Sequence, residues 1–124
     1  MSTIGHPLSD LVNLINPFLF AMGGLNGYDG FKPGATPGLP TQKQVIGWYA
    51  EAAGWDPAPD MPWGSAFGCF RNCVIMQGIA ARYALRQTSS AKAKEYAGMM
   101  APLADFAWTL AEKAKDAATE KSKL

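Results

Sequence analysis

The stretch from Trp63 to Ile79 constrains this chain more than any other. It carries Trp63, Phe67, Phe70, Val74, Ile75 and Ile79 on most sides of a helix running to about Arg86. A helix that is apolar nearly all round needs neighbours to bury it, so other helices must pack around this one. Asp60 is placed to cap its start, and Pro62 is tolerated in its first turn. Gly64, Gly68 and Gly78 lower helix propensity, so they are expected to mark close helix contacts.

The remaining segments supply those neighbours. From Pro7 to Phe20, the residues Leu8, Leu11, Val12, Ile15, Phe18 and Leu19 recur at helical spacing. Pro17 is expected to end or kink that helix near Asn16. Residues 22–40 hold many of the 13 glycines and 9 prolines and read as a long irregular loop. Thr41 and Gln44 form a capping box for a helix bearing Val45, Trp48, Tyr49 and Ala52, with Gly54 as its stop. A fourth helix, roughly Ala91 to Thr119, shows a stripe of Tyr96, Met100, Leu103, Phe106, Ala107 and Leu110, with a kink expected at Pro102. Beyond Leu110 mixed charges begin, which reads as a solvated, fraying tail. No alternating strand pattern occurs, so the expected fold class is all-α with four main helices.

Composition narrows the functional classes. Eleven basic and 10 acidic residues give a net charge of +1, so there is no basic field to hold nucleic acid. No apolar run reaches the ~18 residues of a membrane span. Neither nucleic acid nor membrane is an expected partner, and a soluble, intracellular chain is. Charged residues are only 17%, against about 25% for an average domain, which suggests a surface missing its partner. Cys69 and Cys73, spaced i,i+4, read as two small core thiols. With His6 far away, they are too few for a metal site. No Walker-type phosphate loop and no G-x-S-x-G elbow is present.

The run Ser2-Thr3-Ile4-Gly5-His6-Pro7-Leu8-Ser9-Asp10-Leu11 resembles a segment of the aminoglycoside-phosphotransferase family. It is most similar to the phosphotransferase-like domains attached to some acyl-CoA dehydrogenases. There, a D-W-E-L-S-T-I-G-H-P-x-x-D-L segment joins the metal site to the helical lobe. The resemblance continues through Gly38-Leu39-Pro40-Thr41, the Trp48-Tyr49 pair, Phe67, Phe70, Arg71, Gln77-Gly78 and Tyr83. It extends through Ser89-Ser90 and Pro102-Leu103-Ala104, covering roughly Ser2 to Lys113.

This resemblance implies a protein-kinase-like fold and phosphoryl transfer from a nucleotide to a hydroxyl. The four helices would then correspond to the distal half of the larger lobe. Residues 1–113 would form its C-terminal helical subdomain, and 114–124 a charged tail. The family's base and one metal ligand lie in an H-G-D-x-x-x-x-N loop, and its second metal ligand is the Asp of D-W-E; this sequence contains neither. No catalytic residue, metal ligand or cofactor is therefore expected in this chain, although ATP and magnesium are implied for complete relatives. The expected reading is a truncated or partial member of a small-molecule phosphotransferase family, inactive alone. The alternative is a non-catalytic helical interaction protein of the peroxisome.

Asp10 matches the aspartate of the family's G-x-P-x-x-D-L, which the resemblance implies hydrogen-bonds the catalytic-loop backbone. The simpler reading is a carboxylate favouring a helix N-terminus. His6 reads as a packing and turn residue. Trp48, Tyr49, Trp55, Trp63 and Phe67 are candidates to border an acceptor pocket, although aromatics at helical spacing are more often core.

The chain ends Ser122-Lys123-Leu124. A C-terminal S-K-L is an address read by the peroxisomal import receptor, so peroxisomal localisation and that receptor as a partner are expected. A missing N-terminal lobe or an oligomer partner is the other expected contact.

Overall fold

The computed structural model describes residues 5–123. Ser2, Thr3 and Ile4 of the opening motif, and Leu124 of the terminal tripeptide, lie outside the described residues. Four helices follow in order: α1 (Leu8–Met22), α2 (Gln42–Ala53), α3 (Met61–Ala84) and α4 (Ala93–Ser122). Short 3-10 turns cover Asp29–Phe31 and Ala58–Asp60. Among the described residues there is no strand, and the fold is all-α as the periodicity predicts.

Helix α1 opens on a side-chain contact, with His6 Nδ1 accepting the Leu8 N–H at 3.2 Å. That interaction satisfies one of the unpaired donors of the first turn. Pro17 does not end the helix, one of the two outcomes expected of it from sequence. The helix continues to Met22, and Phe18, Leu19, Phe20 and Ala21 are all buried in its last turn. An interior proline costs about 3 kcal/mol, whereas each buried Leu or Phe returns about 1.5–3 kcal/mol. Three such side chains outweigh one lost hydrogen bond.

The Gly/Pro segment folds back on this turn. Tyr28 meets Phe20 edge-on at 5.1 Å between ring centroids, and Phe31 meets Phe18 at 5.4 Å. Thr36 Oγ1 donates to the Gly30 carbonyl at 2.7 Å. Helix α2 then starts on the expected capping box: Thr41 Oγ1 accepts from Gln44 N–H at 3.3 Å, and Gln44 Oε1 accepts from Thr41 N–H at 2.8 Å. It stops at Gly54, whose φ of +72° is the left-handed conformation that glycine adopts without a Cβ penalty.

Helix α3 departs from expectation in two ways. Asp60 makes no side-chain cap; the helix instead grows out of the 3-10 turn that precedes it, where Asp56 Oδ1 accepts the Ala58 N–H at 2.9 Å. More consequentially, α3 is not buried all round. Its buried residues are Met61, Gly64, Ser65, Gly68, Cys69 and Met76, while Trp63, Phe67, Phe70, Val74 and Ile75 are exposed. The neighbours lie against the small-residue arc and leave the aromatic arc uncovered.

Glycine makes that arrangement possible at two positions. A Cβ on Gly64 would sit 3.0 Å from Leu8 and Val12 side chains, and one on Gly68 only 2.1 Å from Val12 Cγ1. These two mark the close approach of α1 to α3, as expected. Gly78 does not, since its nearest neighbour would be the end of Arg82 at 4.0 Å. Helix α3 closes on a Schellman arrangement in which Gln87 N–H reaches Arg82 O and Arg86 N–H reaches Tyr83 O. Arg86 takes the left-handed position at φ +56°.

Helix α4 runs antiparallel to α3. Lys121 Nζ near its end donates to the Pro59 carbonyl just before α3 begins, at 3.2 Å. Leu103 and Ala107 are buried, and Tyr96, Met100, Phe106 and Leu110 pack against the core, as the stripe predicts. The helix passes through Pro102. The charged segment expected to fray is helical through Ser122, and Ala114 and Ala117 prolong the inward stripe half-buried. The core lies where α1 meets the α3–α4 pair, around Leu11, Val12, Ile15, Cys69 and Leu103.

Candidate functional site

The five aromatics proposed from sequence do not converge. Trp48 stands exposed on α2. Tyr49 and His6 both meet Trp55 edge-on, at 6.3 and 5.9 Å between ring centroids, on the α1–α2 side of the molecule. Trp63 and Phe67 lie elsewhere, on α3, stacked nearly parallel at 5.3 Å and 4°. His6 acts as the turn and packing residue expected of it. Asp10 stands exposed in the first turn of α1, where its carboxylate favours the positive end of the helix dipole.

Next to Asp10 runs a polar seam between α1 and α3. The Arg71 guanidinium donates to Ser9 Oγ at 3.3 Å and to Asn13 Oδ1. Asn16 Nδ2 donates to the same Asn13 oxygen at 3.5 Å, while Asn16 Oδ1 is buried with no partner among the described residues. Asn72 Nδ2 donates to the Gly68 carbonyl at 2.8 Å. This seam fixes how α1 sits on α3. It holds one cation and no carboxylate, nucleophile or base arranged for chemistry.

The larger feature is an open groove of about 730 Å³ between α3 and α4. Trp63, Phe67 and Phe70 line one wall. The other is α4, with Ala104, Trp108, Ala111, Lys115 and Ala118. Trp108 is 68% exposed and Trp63 61%. Lys115 is the one charged residue among those lining it. Trp108 lies outside the core stripe read from sequence because it follows buried Ala107 and points to the next face. The signal that locates it is a second series, 104-108-111-115-118, running beside the inward one at the same 4,3,4,3 spacing.

Cys73 borders this groove, and Cys69 is buried in the core. Burial, then the neighbouring Cys73, pushes the Cys69 thiol from 9.0 up to about 12, and burial also raises Cys73. At mildly alkaline pH, iodoacetamide is therefore expected to spare Cys69 in the native protein and label it rapidly after guanidinium unfolding. Equal rates in both states, read by mass spectrometry, would contradict its burial. The same shift sets a pH dependence. Between about pH 9 and 12 the unfolded thiol loses its proton while the folded one keeps it. The unfolded chain then binds fewer protons, and stability falls as pH rises through that window, by at most about 1.4 kcal/mol per unit.

Among the described residues, no three His, Cys, Asp or Glu side chains come together as a metal cluster, and no helix is long and apolar enough to cross a membrane. Ser122 is the last residue of α4, with its Oγ donating to Thr119 O at 2.8 Å, and Lys123 N–H bonds to Glu120 O at 3.2 Å.

No protein-family model matches the chain, and no solved structure matches it. Three curated proteins named acyl-CoA dehydrogenase family member 11 are similar to it. The Homo sapiens protein is 29% identical over 114 residues and the Pongo abelii protein 28% over 114 residues, each alignment covering 91% of this chain. The Rattus norvegicus protein is 33% identical over 107 residues, or 85% of this chain. These alignments take in only 14–15% of the relatives, so the chain spans about one seventh of their length.

Proposed function

We propose that this chain is the distal helical part of a kinase-like phosphotransferase lobe and has no nucleotide or metal chemistry of its own. The observation that carries the reading is the Gly5-His6-Pro7-Leu8-Ser9-Asp10-Leu11 motif, placed at the start of α1 within a region similar to acyl-CoA dehydrogenase family member 11. In this reading, Asp10 holds the backbone of a catalytic loop supplied by preceding sequence, and exposure in the first turn leaves its carboxylate accessible for that contact. ATP and magnesium belong to complete relatives. Transfer of a phosphoryl group rests on charge neutralisation by carboxylate-held metal and a phosphate-cradling lobe, and the described residues offer neither.

Two measurements test this. Calorimetry of the chain with ATP–magnesium is expected to show no saturable heat; micromolar binding would overturn the inactive-alone reading. The transcript upstream of the Met1 codon is expected to encode H-G-D-x-x-x-x-N followed by D-W-E in frame. Its absence would favour the second reading, a non-catalytic helical interaction protein, which the exposed aromatics of α3 support.

We further infer a peroxisomal address in Ser122-Lys123-Leu124, read by the import receptor. A receptor that captures an extended C-terminus must unwind the last turn of α4. Helix ends hold few backbone bonds, so that opening costs little. A fluorescent protein carrying the last dozen residues is expected to collect in peroxisomes, and Leu124→Asp to leave it cytosolic. A wild-type fusion that stays cytosolic in import-competent cells would remove the assignment.

A further inference from the structure

We propose that the α3–α4 groove pairs two copies of this chain about a two-fold axis passing beside Ala111 of α4. The first observation is spacing. Ala104, Trp108, Ala111, Lys115 and Ala118 line the open side of α4 at intervals of four and three, the repeat that keeps a seam facing a partner helix. On α3, the exposed groove residues Trp63, Phe67 and Phe70 follow the same intervals. Two neighbouring helices thus carry unpartnered seams on one face, and a further helix fits between them.

The second observation is symmetry. The α4 series alternates small and large and reads nearly the same in both directions from Ala111. In an antiparallel pair centred there, Ala104 falls opposite Ala118 of the second copy, and Trp108 falls beside its Lys115. An interface about a two-fold axis must complement itself, and this seam does. It also answers the only charge lining the groove, because a lysine ammonium over an indole face is favourable. A lysine buried against alkyl groups alone would be costly. With a net charge of +1, two copies repel one another only weakly.

The third is area. The four groove aromatics are 43–68% exposed, and at about 150–250 Å² per ring system they alone offer roughly 400–500 Å². The groove alanines and the Lys115 stem bring the patch toward the ~800 Å² per partner of a stable interface. A scarcity of charge in the whole chain, 17%, is in keeping with a face covered in the working state.

Cross-linking of the full-length chain tests the register. Ala111→Cys is expected to yield a disulfide-linked dimer that mass spectrometry maps to 111–111. Ala118→Cys alone should not cross-link, because its own mate lies about 21 Å away along the axis at 1.5 Å per residue. A mixture of Ala104→Cys and Ala118→Cys chains should give the 104–118 bond. Sedimentation velocity should show a dimer at micromolar concentration. Trp108→Glu should weaken it by about thirtyfold or more with helical circular dichroism unchanged. A wild-type monomer at every concentration overturns the proposal, as does a dimer lacking the 111–111 link or one indifferent to Trp108→Glu.

Discussion

Ile15→Ala is expected to destabilise the fold by about 3–5 kcal/mol, whereas Leu14→Ala, one residue earlier, should change it by less than about 0.5 kcal/mol. Both delete large aliphatic side chains from α1, and intrinsic helix propensity favours neither outcome. What differs is where they point: Ile15 is 0% exposed at the junction of α1 with α3 and α4, and Leu14 is 60% exposed. Removing Ile15 loses its transfer energy and leaves a cavity that packed neighbours close only in part. Against a total of about 5–15 kcal/mol for a domain of ordinary stability, that is a large fraction. Urea denaturation of the two variants measures it. If both prove equally mild, α1 is not docked as described.

Gly68→Ala is expected to destabilise by about 1–3 kcal/mol, although alanine is the better helix former by nearly 1 kcal/mol. The Cβ would lie 2.1 Å from Val12 Cγ1. Val12 is itself 2% exposed, branched and held in its rotamer, so it cannot yield. The two helices must part instead. Gly98, inside α4, has nothing within 4 Å of where a Cβ would stand, and Gly98→Ala should stabilise by up to about 1 kcal/mol. Opposite signs for the same substitution in two helices are the result to look for in thermal unfolding. A stabilising Gly68→Ala would show that α1 and α3 do not approach so closely.

These contrasts also show what the sequence could reveal. Local chemistry was legible at most positions where a neighbour within four residues decides the outcome, Asp60, which makes no cap, being the exception. The Thr41–Gln44 box, the Gly54 stop and the Leu103–Ala107 stripe all appear where the pattern places them. Tertiary trade-offs were not. Pro17 reads as an end or a kink because the burial of Phe18, Leu19 and Phe20 is a long-range fact. Ala114 and Ala117 were hidden because alanine contributes little to a hydrophobic pattern yet fills the narrow space between close helices.

The candidate aromatics are hard to place from sequence for a related reason. Periodicity identifies an apolar arc but not whether anything covers it. In α3 the buried arc runs through Gly64, Ser65, Gly68 and Cys69 between Met61 and Met76, and the aromatic residues that dominate the pattern face outward. The pattern therefore marks Trp63 and Phe67 but leaves their counterpart Trp108 outside the core stripe. Its own series is present in the sequence, but its pairing with Trp63 and Phe67 shows only when α3 and α4 are set side by side. Asp10 needed the motif rather than the pattern, since an exposed carboxylate in a first turn has no distinguishing geometry of its own.

The joining of α1 to α3 by contacts such as Ser9 to Arg71, 62 residues apart, carries a kinetic consequence. Helices α3 and α4 are consecutive, with only residues 85–92 between them. Bringing them together closes a short loop, while seating α1 closes one several times longer, at greater entropic cost. Contacts between near neighbours in sequence form sooner, so the hairpin of α3 and α4 assembles first and α1 arrives on a surface already built. In refolding kinetics, the strain introduced by Gly68→Ala then belongs to the late step: it speeds unfolding and leaves the folding rate nearly unchanged.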